Sequence, residues 1–282
     1  MLWLIVQLPY PVLCLLGRFL GKLSKPFLKK RMSIAEKNIT LCFPEMSADA
    51  QRNLINENFT SLGMALIETG MAWFWSDQRV RKWFDIEGRE NITSAKGANK
   101  GIMVIGVHFM SLELCGRVIG LSSPVMATYR PHNSPLMEWV QTKCRLRSLK
   151  SMIDRRNLKG LIGALKSGES VWFAPDQDYG PKGSVFAPFF SVNDAATTNG
   201  TNVISRLSNA NILTMSMIRK PNKKGYRLYI SAPLIDYPAG DEVKAAGYMN
   251  KLIEQEIGRA PDQYLWMHRR FKTRPEGMAS LY

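Results

Sequence analysis

The run Ile102-Met103-Val104-Ile105-Gly106-Val107 carries no charge and is rich in β-branched side chains. A stretch so short and so apolar reads as a buried strand over 101–107. The period then changes. From Ser111 the apolar positions Leu112, Cys115, Val118 and Ile119 share one helical face, and Gly120 offers a stop. The alternation continues with strands expected at 125–129, 170–174, 212–218 and 226–232. Helices are expected at 135–145, 157–166, after Thr197 and over about 241–259, and a further one precedes them at 47–72. The order predicts an α/β fold, a mixed, mostly parallel sheet flanked by helices. At 282 residues and 45% hydrophobic content the chain can bury a substantial core, and no repeat or linker divides it.

His108 sits where the first of these strands hands over to a helix, and Glu113 follows five positions later. In one continuous helix residues five apart lie about 140° apart, so the two could meet only if 109–111 form a turn. The carboxyl ends of strands in open α/β sheets are where ligands usually bind. Two more expected strands end in polar residues on that edge, at Arg130-Pro131-His132-Asn133 and at Pro175-Asp176-Gln177-Asp178. Between them Lys143, Arg145, Arg147, Lys150, Arg155, Arg156, Lys159 and Lys166 face one acid, Asp154. A lone histidine beside an apolar strand can also be purely structural, and a charge run is normally a solvated face. What distinguishes this run is that it flanks a candidate site, where arginine's planar fork suits phosphate.

The formal charge of +15 calls for an anionic partner: nucleic acid, an acidic protein, or a membrane carrying phosphorylated lipid. No helix-turn-helix spacing, RNP-like motif, zinc module or KH-type loop is present, so nucleic acid is not expected. Cys14, Cys42, Cys115 and Cys144 lack CxxC spacing, which argues against a zinc site or a disulfide framework. Residues 1–17 carry no charge, and Arg18, Lys22, Lys25, Lys29, Lys30, Arg31 and Lys37 follow with only Glu36 opposing them. Apolar first and basic second is the order of a membrane anchor with a cytoplasmic flank, expected at 1–21. The anchor is short and carries Pro9 and Pro11, so it either lies in the interface or continues upstream. The cluster Trp73-Phe74-Trp75, with Trp83 and Phe84, is expected in the core.

His-x-x-x-x-Glu at a strand end, Tyr-Arg-Pro one strand later and Ala-Pro-Asp-Gln-Asp-Tyr-Gly together resemble the lipid A biosynthesis acyltransferases, the late acyltransferases of lipopolysaccharide assembly. The blocks VQLPYPVLCLLG, LCFPEMS, ETGMAWFW, GVHFMSLEL, ATYRPHN, WFAPDQDYG and QYLWMHRRFKTRPEG run through nearly the whole chain in the family's order. Several look most like the palmitoleoyltransferase branch, with the lauroyltransferase branch as the close alternative. The resemblance implies a glycerolipid acyltransferase-like domain over 22–282, facing the cytoplasm at the inner membrane. It implies transfer of an acyl chain from acyl carrier protein to a hydroxyl of an acyl chain on Kdo(2)-lipid IV(A), without cofactor or metal. His108 would be the general base and Glu113 its orienting acid, with Arg130, Arg155 and Asp176 binding substrate. Asp176 would orient one of those arginines or help fix the site. Carrier docking would fall around 145–159 or 269–274.

The expected chemistry suits these residues. A secondary alcohol is a poor nucleophile at neutral pH, and an adjacent imidazole can take its proton as it attacks a thioester. Ser111 is expected as a helix cap and Cys115 inside the helix, neither as a nucleophile. Two departures from the family pattern stand out: residues usually found before VQLPYP are missing, and Leu149 replaces an asparagine. Two other readings remain open, a phospholipid acyltransferase with the same pair and a non-catalytic basic protein that binds anionic lipid.

Overall fold

The computed structural model describes residues 1–96 and 100–282. In chain order the helices are α1 (Leu2–Ile5), α2 (Tyr10–Ser24), α3 (Lys29–Cys42), α4 (Ala48–Phe74), α5 (Asp77–Arg81), α6 (Arg89–Lys96), α7 (Leu112–Ser122), α8 (Pro135–Arg145), α9 (Leu158–Lys166), α10 (Gly200–Ser208) and α11 (Glu242–Gly258). The strands are β1 (Phe84–Glu87), β2 (Ile102–Gly106), β3 (Met126–Tyr129), β4 (Ser151–Asp154), β5 (Ser170–Phe173), β6 (Ser184–Phe189), β7 (Val192–Thr198), β8 (Asn211–Arg219) and β9 (Tyr226–Ile230).

Seven strands form one sheet in the order β1-β9-β8-β2-β5-β3-β4. Every pairing is parallel except that of β8 with β9. The expected mixed, mostly parallel α/β sheet is therefore present, with β2 at its centre between β8 and β5. β6 and β7 form a separate antiparallel hairpin. Sequence reading found neither that hairpin nor the four-residue strands β1 and β4.

Side-chain alternation along β2 sorts two cores. Ile102 and Val104 join a cluster with Leu114, Val118, Trp172 and Met71, whereas Met103, Ile105 and Val107 join another with Leu161, Ile204, Ile253 and Trp266. Both layers are helical, so a strand between them must be apolar on both faces. That is why β2 reads as a continuous apolar run. Trp75 is buried in the first cluster and Trp73, Phe74, Trp83 and Phe84 pack on it, as expected for core.

The 27-residue α4, about 40 Å long, spans the body and receives α2. Glycines allow the close approach: a Cβ on Gly63 would fall 2.1 Å from the Gly17 carbonyl oxygen, and one on Gly21 would fall 2.2 Å from that of Phe59. The expected anchor over 1–21 is not confirmed. Among the described residues no helix is long and apolar enough to cross a membrane. α2 instead buries Tyr10, Leu13, Cys14, Gly17 and Gly21 on the protein and turns Val12, Leu15, Phe19 and Leu23 to the outside.

Candidate active site

Beyond β2 the chain turns at 109–111 before α7 begins at Leu112, as the spacing requires. The turn is held in place. Phe109 N–H donates to the Val107 carbonyl, Met110 N–H to Gln263 and Leu112 N–H to Phe109, and the His108 carbonyl accepts from Leu265 N–H. Ser111 occupies the position before the helix but does not cap it. Its hydroxyl donates across to the Met217 carbonyl of β8, so it ties helix to sheet instead.

The turn does not pair His108 with Glu113. Asp176, in the loop after β5, takes His108 with both carboxylate oxygens: Oδ2 accepts the His108 main-chain N–H at 2.9 Å and Oδ1 lies 2.5 Å from Nδ1. Strand order explains this, because β5 pairs directly with β2 and the two carboxyl ends emerge side by side. Facing a carboxylate, Nδ1 carries the ring proton and Nε2 is left with its lone pair. Burial works against charge on His108, but the Asp176 carboxylate and its hydrogen bond outweigh it and raise the imidazole above its ordinary range. Asp176 is 0% exposed; burial pushes it up, and the charge and hydrogen bonds of His108 more than reverse that.

Glu113 is occupied elsewhere. Arg145 reaches it from the end of α8 as a fork, with Nε at 3.2 Å from each carboxylate oxygen and Nη2 on Oε1, and Trp73 Nε1–H donates to Oε2 at 3.1 Å. The contact expected between Glu113 and the His108 ring is made by Asp176 instead. Glu113 still shares a cavity of about 80 Å³ with His108. The cavity runs from His108 and Thr128 at the carboxyl edge, along Leu112, Glu113 and Gly116 of α7, to Ser148 and Leu149. Trp172 lines it from the sheet.

Arg130 and Arg155 follow β3 and β4 on the same edge but do not line the cavity. Both are exposed; Arg130 reaches Asn133 at 3.4 Å, and Arg155 lies over the Tyr179 ring at 5.7 Å. Neither is among the hydrogen-bond partners of Asp176, which is committed to His108. The basic surfaces also thin out: Arg270 is buried against the Ala196 carbonyl, and Arg274 pairs with Asp194. Arg155, Lys159, Arg269 and Lys272 remain exposed.

Three supports had no assigned role in the sequence reading. Asp178, 2% exposed, accepts from Gly180 N–H and from the N–H and hydroxyl of Thr273, which fixes the loop carrying Asp176. Asn58 of α4 donates to the carbonyls of Asp262 and Tyr264 and holds the segment that stitches the His108 turn. His268 is brought down to about 4 by burial and by the charge of His108, so it is neutral near pH 7. The Asp-Gln-Asp and QYLWMHRRFKTRPEG blocks were the available signals for Asp178 and His268, but local pattern gave them no partners, and Asn58 lies in neither block.

A family profile described as bacterial lipid A biosynthesis acyltransferase matches residues 1–273. The chain is 66% identical over 281 residues to the lipid A biosynthesis palmitoleoyltransferase of Escherichia coli K12, covering 100% of this chain and 92% of that protein. It is 51% identical, with the same coverage, to the lipid A biosynthesis lauroyltransferase of that organism. Among solved structures, the 1-acyl-sn-glycerophosphate acyltransferase PlsC from Thermotoga maritima aligns at 14% identity and TM-score 0.40, over 90% of this chain and 98% of that one. The chain belongs to the bacterial lipid A biosynthesis acyltransferase family, and it is an acyltransferase.

Proposed function

We propose that the protein moves a palmitoleoyl chain from the phosphopantetheine thioester of acyl carrier protein to a hydroxyl on an acyl chain of Kdo(2)-lipid IV(A). The reaction takes place at the cytoplasmic face of the inner membrane. The observation that carries this reading is the His108–Asp176 pair at one end of an apolar cavity. With Nδ1–H pinned to Asp176, Nε2 can take the proton of the acceptor hydroxyl as its oxygen attacks the thioester carbon. Asp176 stabilises the imidazolium that forms. When the tetrahedral intermediate collapses the carbon–sulfur bond breaks, and the departing thiolate receives that proton. General-base help of this kind is typically worth roughly 10²–10⁴ in rate.

Attack proceeds directly, without an acyl-enzyme. Ser111 is hydrogen-bonded away into the sheet. Cys115 is buried in α7, and burial pushes its thiol up to about 12, leaving almost no thiolate. On the rim, Arg130 and Arg155 offer exposed guanidinium groups to the phosphates and acidic sugars of the acceptor. Arg155, Lys159, Arg269 and Lys272 offer cations to an acidic carrier. Palmitoleate is favoured over laurate by the higher identity to the palmitoleoyl relative.

The test is to incubate purified protein with Kdo(2)-lipid IV(A) and equal amounts of palmitoleoyl- and lauroyl-loaded acyl carrier protein, then weigh the product. A predominantly palmitoleoylated product is expected, and a laurate-only product overturns the chain assignment. His108→Ala should abolish transfer with the fold intact, and unchanged transfer removes the histidine mechanism.

A further inference from the structure

The reaction just described develops negative charge on the acyl carbonyl oxygen, and nothing yet assigned receives it. Three main-chain donors at the turn are already taken: His108 N–H by Asp176, Phe109 N–H by Val107, and Met110 N–H by Gln263. A different donor lies in the cavity wall. Trp172 is 8% exposed, its indole lines the cavity, and no acceptor among the described residues meets its Nε1–H. A buried N–H without a partner is costly, and a ligand acceptor would remove that cost.

The location of that N–H is built into β2. Trp172 lies beside Val104 in the β2–β5 ladder, and its ring reaches along the sheet toward the carboxyl edge. A Cβ at Gly106 would fall 1.6 Å from Trp172 Nε1, so only glycine leaves room for the N–H edge. The benzo edge faces α7, where a Cβ on Gly116 would lie 3.3 Å from Cζ3. Gly106 ends β2 two residues before His108, and Trp172 and His108 both line the cavity. The indole therefore packs its N–H against the carboxyl end of β2, the end from which His108 emerges.

Resting on the acyl-transfer reading above, we propose that Trp172 is a further catalytic residue whose indole N–H donates to the acyl carbonyl oxygen during attack. As the acceptor oxygen bonds to the carbonyl carbon, the C=O π pair moves onto that oxygen and the hydroxyl proton goes to His108 Nε2. Trp172 Nε1–H holds the resulting oxyanion. Collapse restores the carbonyl, breaks the carbon–sulfur bond and returns the proton to sulfur.

The test compares Trp172→Phe with Trp172→His, rings of similar size that differ in the N–H. Transfer by the wild type in the same assay checks the underlying acyl-transfer reading, and the variant ratios check Trp172. Relative to wild type, kcat of Trp172→Phe is expected to fall on the order of 10²-fold, with KM and the acid limb of the pH profile little changed, and Trp172→His to recover about tenfold or more of that loss. Equal kcat in the two variants, or a loss below about tenfold in Trp172→Phe, overturns the proposal. Should either variant fail to fold, wild-type protein labelled with ¹⁵N-indole is titrated with a palmitoleoyl pantetheine ketone in which methylene replaces sulfur. One buried indole N–H resonance should move downfield on binding; binding without such a shift overturns the assignment.

Discussion

Asp176 holds His108 twice, through its main-chain N–H and through Nδ1, across 68 positions of sequence. The double contact fixes both the ring and the turn on which it rides. Removing it by Asp176→Asn leaves an amide that can present its NH₂ to Nδ1 and reverse the tautomer. A fall of roughly 10³–10⁴ in kcat is expected, as when the acid of a His–Asp pair is neutralised. The pH dependence has a definite sign. Asp176 raises the folded-state pKa of His108 above the ordinary 6.5, so the acid limb of kcat/KM in the wild type lies above 6.5. In Asp176→Asn the limb should move to lower pH, and a rate–pH profile measures both effects.

The same pair contributes to stability. The raised histidine stabilises the fold fully below the ordinary imidazole value and loses that effect as pH rises through its folded value. The depressed Asp176 stabilises above the ordinary carboxylate value and loses its effect as pH falls through its own. The Tm difference between wild type and Asp176→Asn should therefore be largest near pH 5, between about 4 and 6.5, and should shrink toward pH 9.

Glu113 separates the two possible partners of His108. Its carboxylate is shared by Arg145 and Trp73, so Glu113→Gln should lower activity by loosening Arg145 at the cavity while shifting the acid limb far less than Asp176→Asn does. A profile in which Glu113→Gln moves the limb as far as Asp176→Asn would restore Glu113 as the ring's acid.

The strand, the turn and α7 were legible because they are local: a short continuous apolar run gives way to a period of 3.6 within a dozen residues, and side-chain chemistry dictates both. The partner of His108 was not, because it depends on β5 rather than β3 lying beside the end of β2, a matter of strand order. Arg145 was hidden for a related reason. Within a run of cations it reads as solvated, and only the packing of α8 against α7 turns it onto Glu113. The four-residue strands β1 and β4 carry too little periodicity to register, and their positions come from pairing with β9 and β3. The apolar N-terminus was recognised as exceptional, but glycine-mediated docking on α4 decided which half of it is outside.

A buried charge away from the site sets the main stability prediction. Glu68 of α4 is 0% exposed and accepts from Arg219 Nε and from the Tyr226 hydroxyl, each at 2.8 Å. Arg219→Met strips the carboxylate of its cation and should cost about 3–5 kcal/mol in urea unfolding. Adding Glu68→Met removes the stranded charge as well and should recover a large part of that loss. A double variant as unstable as the single one would mean that the Arg219 side chain acts through its other contact, the Ser61 hydroxyl.

The outward face of α2 carries the remaining prediction, which concerns the proposed membrane location. Leu15, Phe19 and Leu23 are 57%, 60% and 52% exposed, beside the exposed cations Arg18 and Lys22. Such a face gains from an anionic bilayer twice, by burying apolar area and by about 1 kcal/mol for each basic side chain near the surface. Leu15 and Phe19 point away from α4, so Leu15→Glu with Phe19→Glu leaves the glycine seam untouched and should preserve Tm. Co-sedimentation with vesicles containing phosphatidylglycerol should fall about tenfold or more, since each lost side chain forfeits roughly 1.5–3 kcal/mol of burial. Wild-type binding should weaken as salt is raised, because the cationic share is screened. Transfer to acceptor dispersed in detergent should persist in the double variant, as the cavity at His108 lies on another part of the molecule. Undiminished vesicle binding by that variant would rule out this face as the membrane contact.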